Sequence, residues 1–278
     1  MTVGAVVVTF RRPTVVLTTV QAVLAQTHEV DTVVVVDNDG DPMVEAALTA
    51  LSPRVTYLSL ADNPGFGAGL AAGIAHLRHQ VGPEWFWLLD DDSPPVDTAL
   101  ASALDIATAR AASGPAIGAV ANRGGHIVRG RIRHDLTCVE GAEPEPADFT
   151  LVDGTIVSAA AVAAVGLPRA DLFSMLEDIE YTTRIRLAGF RLLVRPADGS
   201  TFLHLGSAAE WRGYYQARNH LRVALDLRQR SWLWGWFARE SAIGLHLVRR
   251  RRFGALRLRW RGALDGMRNR MGRVVDPS

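Results

Sequence analysis

The chain has 278 residues, of which 48% are hydrophobic, and it carries 30 arginines but no lysine. The absence of lysine excludes a Walker-type phosphate loop and Schiff-base chemistry, because both need a lysine amine. The single cysteine, Cys138, excludes an internal disulfide and a cysteine-rich zinc site, which favours a cytoplasmic location.

Charge divides the chain into two parts. Residues 1–204 hold 14 arginines and 24 acidic residues, a net of −10, whereas residues 205–278 hold 16 arginines and 5 acidic residues, a net of +11. We therefore predict a catalytic domain over residues 1–210 and a basic tail over residues 211–278. No uncharged stretch reaches the roughly 20 apolar residues of a spanning helix, and the first apolar run lacks the preceding basic residues of a secretory signal.

The N-terminal half alternates between apolar runs and amphipathic runs. The predicted strands cover residues 3–10, 30–38, 55–62 and 85–92, and the predicted helices cover 13–26, 42–51, 67–80 and 96–112. Continuous hydrophobic strands separated by helices indicate a mostly parallel sheet with helices on both faces. The predicted fold class is therefore Rossmann-like α/β, followed by C-terminal amphipathic helices.

The predicted strands end in residues that are mostly polar. They are Thr9, Phe10, Arg11 and Arg12 for the first strand, Asp37, Asn38 and Asp39 for the second, Asp62 and Asn63 for the third, and Asp90, Asp91 and Asp92 for the fourth. Ligands of parallel sheets bind at the carboxyl ends of the strands, so these residues form one candidate site. For any single strand, an ordinary role in a turn or a helix cap is an open alternative.

The three adjacent aspartates indicate a cation. Like charges side by side repel one another, so a positive group is expected next to them. Mg²⁺ takes oxygen ligands and binds through one or two carboxylates together with substrate phosphates. The triplet therefore predicts a divalent cation that bridges to the diphosphate of a nucleotide substrate.

The glycine-rich run after the third strand allows two interpretations. Gly67, Gly69 and Ala72 fit the pattern G-x-G-x-x-A of dinucleotide folds, which makes a nicotinamide-dependent oxidoreductase an alternative function. That pattern normally follows the first strand, however, and close packing of the helix on the sheet explains the same glycines. An aspartyl phosphatase using the aspartate triplet and a non-catalytic membrane scaffold are two further alternatives.

A second acidic site begins a helical pattern at Glu177 and Asp178. Acidic residues favour the first turn of a helix, so a capping role is one interpretation. A role in acid–base catalysis is the other interpretation.

Several motifs together resemble the family 2 glycosyltransferases of the GT-A fold. They are "AVVVTFRRP", "VVVVDNDGD", "NPGFGAG", "LLDDDSPP", "LEDIEYTTRIRLAGF" and "RNHL", which span residues 3–222. Within that family the chain is most similar to bacterial galactofuranosyl- and rhamnosyl-transferases of cell-wall and glycolipid glycans. The resemblance implies inverting transfer of a sugar from a UDP or dTDP donor to a glycan or lipid-linked acceptor, with Mg²⁺ or Mn²⁺ as cofactor.

The resemblance also implies roles for individual residues. Donor contacts fall on Thr9, Phe10, Arg11, Asp37, Asn38, Asn63, Gly67 and Asp91, the metal ligands are Asp90, Asp92 and His204, and the catalytic carboxylates are Asp178 and Glu177. The family run "DVDLxxR" is altered here, because Ile179 and Glu180 follow Asp178 and Tyr181 stands where the family has leucine. This departure bears on the identity of the acceptor.

The basic tail combines arginines with aromatic residues at helical spacing. Trp232, Trp234 and Trp236 are expected to insert into an anionic membrane, which would place the enzyme on the inner face of the cell membrane. Helices that cover the catalytic domain or form a homodimer are the alternatives. Nucleic acid is not an expected partner, because no nucleic-acid recognition motif accompanies the charge.

Overall fold

The computed structural model describes residues 1–112, 114–137, 143–195 and 209–277, and in residues 135–137 it describes the backbone alone. The first half follows the predicted alternation of strands and helices. Its elements are β1 (Val3–Thr9), α1 (Pro13–Leu24), β2 (Thr32–Asp37), α2 (Pro42–Thr49), β3 (Val55–Ser59), α3 (Phe66–Gln80), β4 (Trp85–Asp90) and α4 (Ala99–Ala109). Helix α4 begins three residues later than predicted. Residues 97 and 98 instead form a turn, in which the amide of Ala99 donates to the Val96 carbonyl at 3.0 Å.

The second half has shorter strands and longer helices. Its elements are β5 (Ile117–Ala121), β6 (Arg123–Val128), β7 (Arg131–Thr137), β8 (Glu145–Pro146), β9 (Phe149–Thr150), β10 (Thr155–Ser158), α5 (Ala159–Val165), α6 (Glu177–Leu187), β11 (Arg191–Val194), α7 (Glu210–Asp226), α8 (Arg230–Arg249) and α9 (Phe253–Met267). Helix α7 begins where the basic tail was predicted to begin. The division into two domains stays a prediction.

The strands form two sheets within the described ranges. Eight strands make one sheet in the order β3-β2-β1-β4-β10-β5-β11-β8, and three more make a small antiparallel sheet in the order β7-β6-β9. Strands β1 to β4 are parallel, whereas β10 runs antiparallel to both of its neighbours, β4 and β5. The predicted mostly parallel α/β sheet is confirmed.

The large sheet lies between two hydrophobic layers. Ala5 and Val7 of β1 face the core beneath α1, α2 and α4, whereas Val6 and Val8 face the core beneath α3, α5 and α6. Successive strand side chains point to opposite faces, so an unbroken apolar run is what a strand buried on both faces requires.

The sheet register brings the predicted site residues to one edge. Thr9 at the end of β1 pairs with Asp37 at the end of β2, and Val8 pairs with Asp90 at the end of β4. The carboxyl ends of three neighbouring strands therefore meet, as the sequence predicts.

Helices α7, α8 and α9 pack on the catalytic part of the chain and on one another. Trp232 joins a buried cluster with Phe149 of β9 and Ile179 of α6, and only 2% of it is exposed. The indole of Trp236 donates to the carbonyl of Ala217 at 2.9 Å. The expectation that Trp232 inserts into a membrane is therefore wrong, because its ring belongs to the protein core. Among the described helices, none combines the length and the hydropathy that crossing a bilayer requires.

Candidate active site

A cleft of about 870 Å³ runs from the end of β4 to the C-terminal helices. Asp90 lines it together with Asp153, Glu177, Asp178 and residues of β7, α7 and α8. We call Thr9–Arg12, Asp37 and Asp90–Asp92 the strand-end half of the site; of these, Asp90 lines the cleft, and Thr9, Arg11, Arg12 and Asp37 line a small separate pocket. The helix half of the site is Arg123, Asp153, Glu177, Asp178 and the lining residues of α7 and α8.

The aspartate triplet is compact and has a positive partner. One carboxylate oxygen from each of Asp90, Asp91 and Asp92 lies within 4.8 Å of the others. Arg12 donates from Nη1 to Asp91 Oδ1 at 2.8 Å and to Asp92 Oδ2 at 3.0 Å, and Thr9 Oγ1 donates to Asp91 Oδ2 at 2.7 Å. Arg12 was predicted at this strand end without a role, and it supplies the positive group that the repulsion within the triplet predicts.

Asp90 is the member of the triplet that these contacts do not neutralise. Its carboxylate accepts a hydrogen bond from the backbone amide of Asp91 at 2.9 Å. Burial raises the pKa of Asp90 well above its usual range, and the charges of Asp153, Asp91 and Asp92 raise it further. Three carboxylates beside one arginine keep a surplus of negative charge, and carboxylate oxygens are the ligands that a hard divalent cation takes, so the triplet fits such an ion.

The rest of the strand-end half is held by local hydrogen bonds. Asp37 accepts from the amides of Asp39 and Asp41 at 2.9 and 3.1 Å, and from the hydroxyl of Tyr57 at 2.7 Å. Arg11 pairs with Asp39 at 2.9 Å. These contacts are those of a turn and a helix cap, and the proposed contact of Asp37 with the nucleotide base stays a prediction.

Asn38 offers a free group near the same edge. Its backbone amide donates to the Thr9 carbonyl at 2.9 Å, whereas its buried side-chain oxygen Oδ1 has no hydrogen-bond partner among the described residues. Phe10 lies under the guanidinium of Arg11, which is 5.0 Å from its ring centre. Asn63 has a left-handed backbone with φ of 44° and donates its amide to the Asn38 carbonyl.

The glycines of α3 serve packing. A Cβ on Gly69 would lie 2.6 Å from Val8, and one on Gly73 would lie 2.4 Å from Val6, so α3 lies directly on β1. A Cβ on Gly67 would lie 2.6 Å from the carbonyl oxygen of Arg169. Close packing of the helix therefore explains the pattern, and the donor contact predicted for Gly67 stays a prediction.

Glu177 and Asp178 begin α6 and differ in burial. Glu177 is 9% exposed, and its Oε2 has no hydrogen-bond partner among the described residues. Asp178 is partly exposed to the cleft and accepts the backbone amide of Ile179 at 2.7 Å. Burial raises the pKa of Glu177 to about 8, with a contribution from Asp178. Burial raises the pKa of Asp178 to about 6, with a contribution from Asp153.

These values separate the roles that the two carboxyls can play. At neutral pH Glu177 retains its proton, whereas Asp178 is ionised and able to accept one. Pairs of carboxyls with separated pKa values are typical of acid and base positions in active sites.

Three further residues of the helix half were missed by sequence reasoning. Asp153 precedes β10 and forms a 2.7 Å ion pair with Arg123, and both line the cleft. Arg212 of α7 also lines the cleft, and its charge lowers the pKa of the nearby Glu177. An Asp-Gly pair before a strand is the signal of an ordinary turn, so no sequence pattern distinguished Asp153.

The altered family run has a structural role. Glu180 accepts from Arg184 Nε at 2.7 Å, and Arg184 also donates to the carbonyls of Val165 and Leu167. The two bonds from Arg184 to these carbonyls fasten α6 to the end of α5, and the ion pair within α6 keeps the carboxylate and the cation of the family motif. The predicted metal ligand His204 lies outside the described residues.

Comparison with known proteins identifies the family. The model of glycosyl transferase family 2 matches residues 5–141. Galactofuranosyltransferase GlfT1 of Mycolicibacterium smegmatis is 30% identical over 242 residues, which cover 82% of this chain and 79% of that protein. The chain belongs to glycosyl transferase family 2. It is therefore a glycosyltransferase, and this assignment replaces the oxidoreductase and phosphatase alternatives.

Solved structures of glycosyltransferases share the fold. The mannosyltransferase PcManGT from Pyrobaculum calidifontis, in complex with GDP-Man and Mn²⁺, superimposes with a TM-score of 0.62 at 15% identity, covering 95% of this chain and 86% of that one. Residues 1–349 of S. aureus TarS, in complex with UDP-GlcNAc, superimpose with a TM-score of 0.57 at 15% identity, covering 82% of this chain and 67% of that one. This chain spans 40% of a longer TarS structure. The predicted GT-A fold is confirmed.

Proposed function

We propose that this glycosyltransferase moves galactofuranose from UDP-galactofuranose to an acceptor hydroxyl, with inversion at the anomeric carbon. The observation that carries the proposal is a cleft lined both by Asp90 of the aspartate triplet and by a separate base, Asp178. The 30% identity to GlfT1 of M. smegmatis favours galactofuranose over rhamnose, and the solved neighbours in complex with GDP-Man and UDP-GlcNAc support a nucleotide-sugar donor.

In this proposal the strand-end half binds the donor diphosphate. Asp90 and Asp92 would hold Mg²⁺ or Mn²⁺, and Arg12 would add a second positive charge beside them. When bound, the cation supplies charge neutralisation for the departing nucleoside diphosphate. Thr9 fixes the orientation of Asp91, and the edge from Phe10 to Asn38 would contact the nucleoside.

Asp178 acts as the general base in the helix half. It accepts the proton of the acceptor hydroxyl while the acceptor oxygen bonds to the anomeric carbon and the bond to the diphosphate breaks. Glu177 keeps its proton at neutral pH, so it adds no second charge beside the base. An attack from the face opposite the diphosphate inverts the anomeric configuration.

The lining of the cleft suits an acceptor that carries negative charge. It includes Arg131 of β7, Arg212 of α7 and Arg239 of α8. Among the described residues, Arg131 and Arg212 form no ion pair, and the buried Nε of Arg212 has no hydrogen-bond partner. Cations without a carboxylate partner favour an anionic ligand, and a lipid-linked acceptor with a phosphate bridge is one.

A donor panel tests the reaction. UDP-galactofuranose, dTDP-rhamnose and UDP-galactopyranose are each incubated with Mn²⁺ and with EDTA, and donor cleavage is followed by release of the nucleotide. We expect metal-dependent turnover with UDP-galactofuranose, and NMR of the product should show the opposite anomer. Turnover of dTDP-rhamnose alone would overturn the donor assignment, and a retained anomer would overturn inversion.

We further propose that α8 and α9 dock the enzyme on the anionic inner face of the cell membrane. The exposed aromatic residues there are Trp234 (74% exposed), Phe237 (60%), Phe253 (60%) and Trp260 (65%), and the exposed arginines Arg249, Arg250 and Arg251 join the two helices. Aromatic rings at the headgroup level together with arginines are typical of helices that lie on anionic lipid.

Vesicle co-sedimentation tests this docking. Binding to vesicles with anionic lipid should fall with added salt, because the attraction of arginines decays within a Debye length. Changing Arg249, Arg250 and Arg251 to Gln should weaken binding more than the same change at the exposed arginines Arg78, Arg129 and Arg133. Equal binding to neutral vesicles would overturn electrostatic docking, and dimerisation seen by light scattering would indicate a surface between two copies.

A further inference from the structure

The segment that leads into the catalytic carboxylates has an unusual backbone. In residues 172–176, which we call the base loop, Phe173, Met175 and Leu176 have φ angles of 65°, 72° and 70°. This left-handed region is disfavoured for residues that carry a side chain, because Cβ crowds the backbone. Three such residues within four positions need a partner that holds them in place.

That partner lies on α7. The Nδ2 of Asn219 donates to three carbonyl oxygens of the base loop, those of Leu172 at 3.0 Å, Ser174 at 2.8 Å and Met175 at 2.7 Å. Arg218 Nη2 donates to the Leu172 carbonyl at 2.8 Å. Both side chains are fully buried, so water does not compete for these bonds.

The orientation of the Asn219 amide is itself determined by its neighbours. Its Oδ1 accepts from Arg218 Nε at 2.8 Å. The guanidinium of Arg218 lies 4.7 Å from the ring centre of Tyr215, and its Nη1 donates to the Gly272 carbonyl at 2.6 Å. Since Oδ1 faces a donor, Nδ2 must face the base loop.

The opposite side of the base loop touches the start of α3. The amide of Phe66 donates to the Phe173 carbonyl at 3.0 Å. Gly65 has φ of 101°, and a Cβ there would lie 2.1 Å from the same carbonyl oxygen. The base loop is therefore enclosed between α3 and α7, with Asp178 two residues beyond its end.

We propose that Asn219 is a positioning residue for the transfer reaction, because its amide holds the base loop in the left-handed conformation that places Asp178 in the cleft. The proposal rests on the proposed function, in which Asp178 is the base. It makes α7 part of the catalytic unit, although its sequence lies in the basic tail. This role gives a function to Asn219, the second residue of the motif "RNHL" at residues 218–221.

The substitution Asn219→Asp tests the proposal with little change in size. It replaces the Nδ2 donor with an oxygen that faces three carbonyl oxygens, and it keeps the Oδ1 partner of Arg218. We expect kcat to fall by roughly 10²-fold, the effect of a base displaced by about 1 Å. The Kd of UDP should stay unchanged, since its proposed site lies on the strand-end half. The acid limb of the pH profile should move to lower pH as Asp178 gains contact with water.

Glu210→Gln is the control on the same helix. It weakens the 2.6 Å ion pair between Glu210 and Arg252, which links the start of α7 to the residue before α9 and involves no residue of the base loop. We expect at most a small change in Tm, with unchanged kcat and an unchanged acid limb. Asn219→Ser, which keeps one hydroxyl donor, should lie between the wild type and Asn219→Asp in kcat. If Asn219→Asp does not fold, the kcat and the acid limb of Asn219→Ser test the proposal instead.

Two results would overturn the proposal. One is a folded Asn219 variant with wild-type kcat and an unshifted acid limb, and the other is a loss of kcat of the same size in the control Glu210→Gln. Asp178→Asn is measured in parallel. If Asp178→Asn keeps normal turnover, the proposed base is wrong. If it is inactive while Asn219→Asp is normal, the positioning role alone fails.

Discussion

The two halves of the site handle negative charge differently. In the strand-end half, Asp91 accepts hydrogen bonds from Arg12 and Thr9, and Asp37 accepts them from the amides of its own turn and from Tyr57. Burial raises the pKa of Asp90 there as well, and a cation bound to the triplet would offset that cost. In the helix half, Glu177 has a buried oxygen with no partner among the described residues, and burial raises the pKa of both Glu177 and Asp178. The comparison indicates that one half is organised to bind charge and the other to exchange a proton.

The halves also differ in how they are built. The strand-end half consists of residues that end neighbouring strands, so its geometry follows from the sheet. The helix half is held by contacts between distant parts of the chain, such as those of Asn219 with residues 172–175. Changes in the helix half should therefore alter rate and pH dependence, and changes in the strand-end half should alter donor and metal binding.

The largest effect is expected for Asp178→Asn. The amide cannot accept the hydroxyl proton, so kcat should fall by roughly 10²- to 10⁴-fold, the range of lost general-base catalysis. The Kd of the donor, measured by calorimetry with Mn²⁺, should stay close to that of the wild type. A variant with near-normal turnover would move the base to Glu177 or Asp153.

The opposite pattern is expected for Asp92→Asn and Asp90→Asn. Each removes a charged ligand of the proposed cation, and we expect turnover to fall by about 10²- to 10³-fold, as on loss of a charge-stabilising group. Here the cause should be visible in binding, because the gain in donor affinity on adding Mn²⁺ should shrink. If that gain is unchanged in both variants, the metal does not bind at the triplet. Metal-dependent donor binding then does not distinguish the strand-end half from the helix half.

Sequence reasoning succeeded where local rules decide the structure. The valine-rich runs of β1 and β2 predicted the parallel sheet, and the sheet brought Thr9, Asp37 and Asp90 to one edge. It failed where a side chain acts at long range. Arg12 and Arg11 are adjacent and chemically identical, yet the structure alone shows that Arg12 turns inward to the triplet while Arg11 turns outward to Asp39.

Sequence reasoning has the same limit in the basic tail. Helical spacing treated Trp232, Trp234 and Trp236 alike, because all three stand in one aromatic and arginine-rich run. Packing separates them, since Trp232 is buried against Phe149 and Ile179 while Trp234 is exposed. Which face of an amphipathic helix is covered depends on where the helix docks, and that information is not local.

The pH dependence of kcat should show an effect of intermediate size. Asp178 must be ionised to act as the base, and its pKa is about 6. At saturating Mn²⁺, log kcat should therefore fall with unit slope below about pH 6, a tenfold loss per pH unit. This acid limb should be absent from the residual activity of Asp178→Asn. Its persistence there would assign the limb to another group, such as a carboxylate of the strand-end half.

The smallest effect, and the most specific to the helix half, is the stability of Glu177→Gln. The pKa of Glu177 rises from a usual value of 4.5 to about 8 on folding, because burial disfavours its charged form. The stability that this carboxyl contributes is full below its unfolded pKa and is lost as the pH rises through about 8. A neutral glutamine avoids that loss, so Glu177→Gln should have a higher Tm than the wild type at pH 8.5 and an equal Tm near pH 4. The difference at pH 8.5 should be several degrees, at about 2–4 °C per kcal/mol for a chain of this size.

The matched variant Asp37→Asn should lower Tm at pH 8.5 instead, because the carboxylate of Asp37 accepts three hydrogen bonds from amide and hydroxyl donors. Thermal unfolding followed by circular dichroism across this pH range measures both changes, and equal shifts of the same sign would remove the distinction between the two halves.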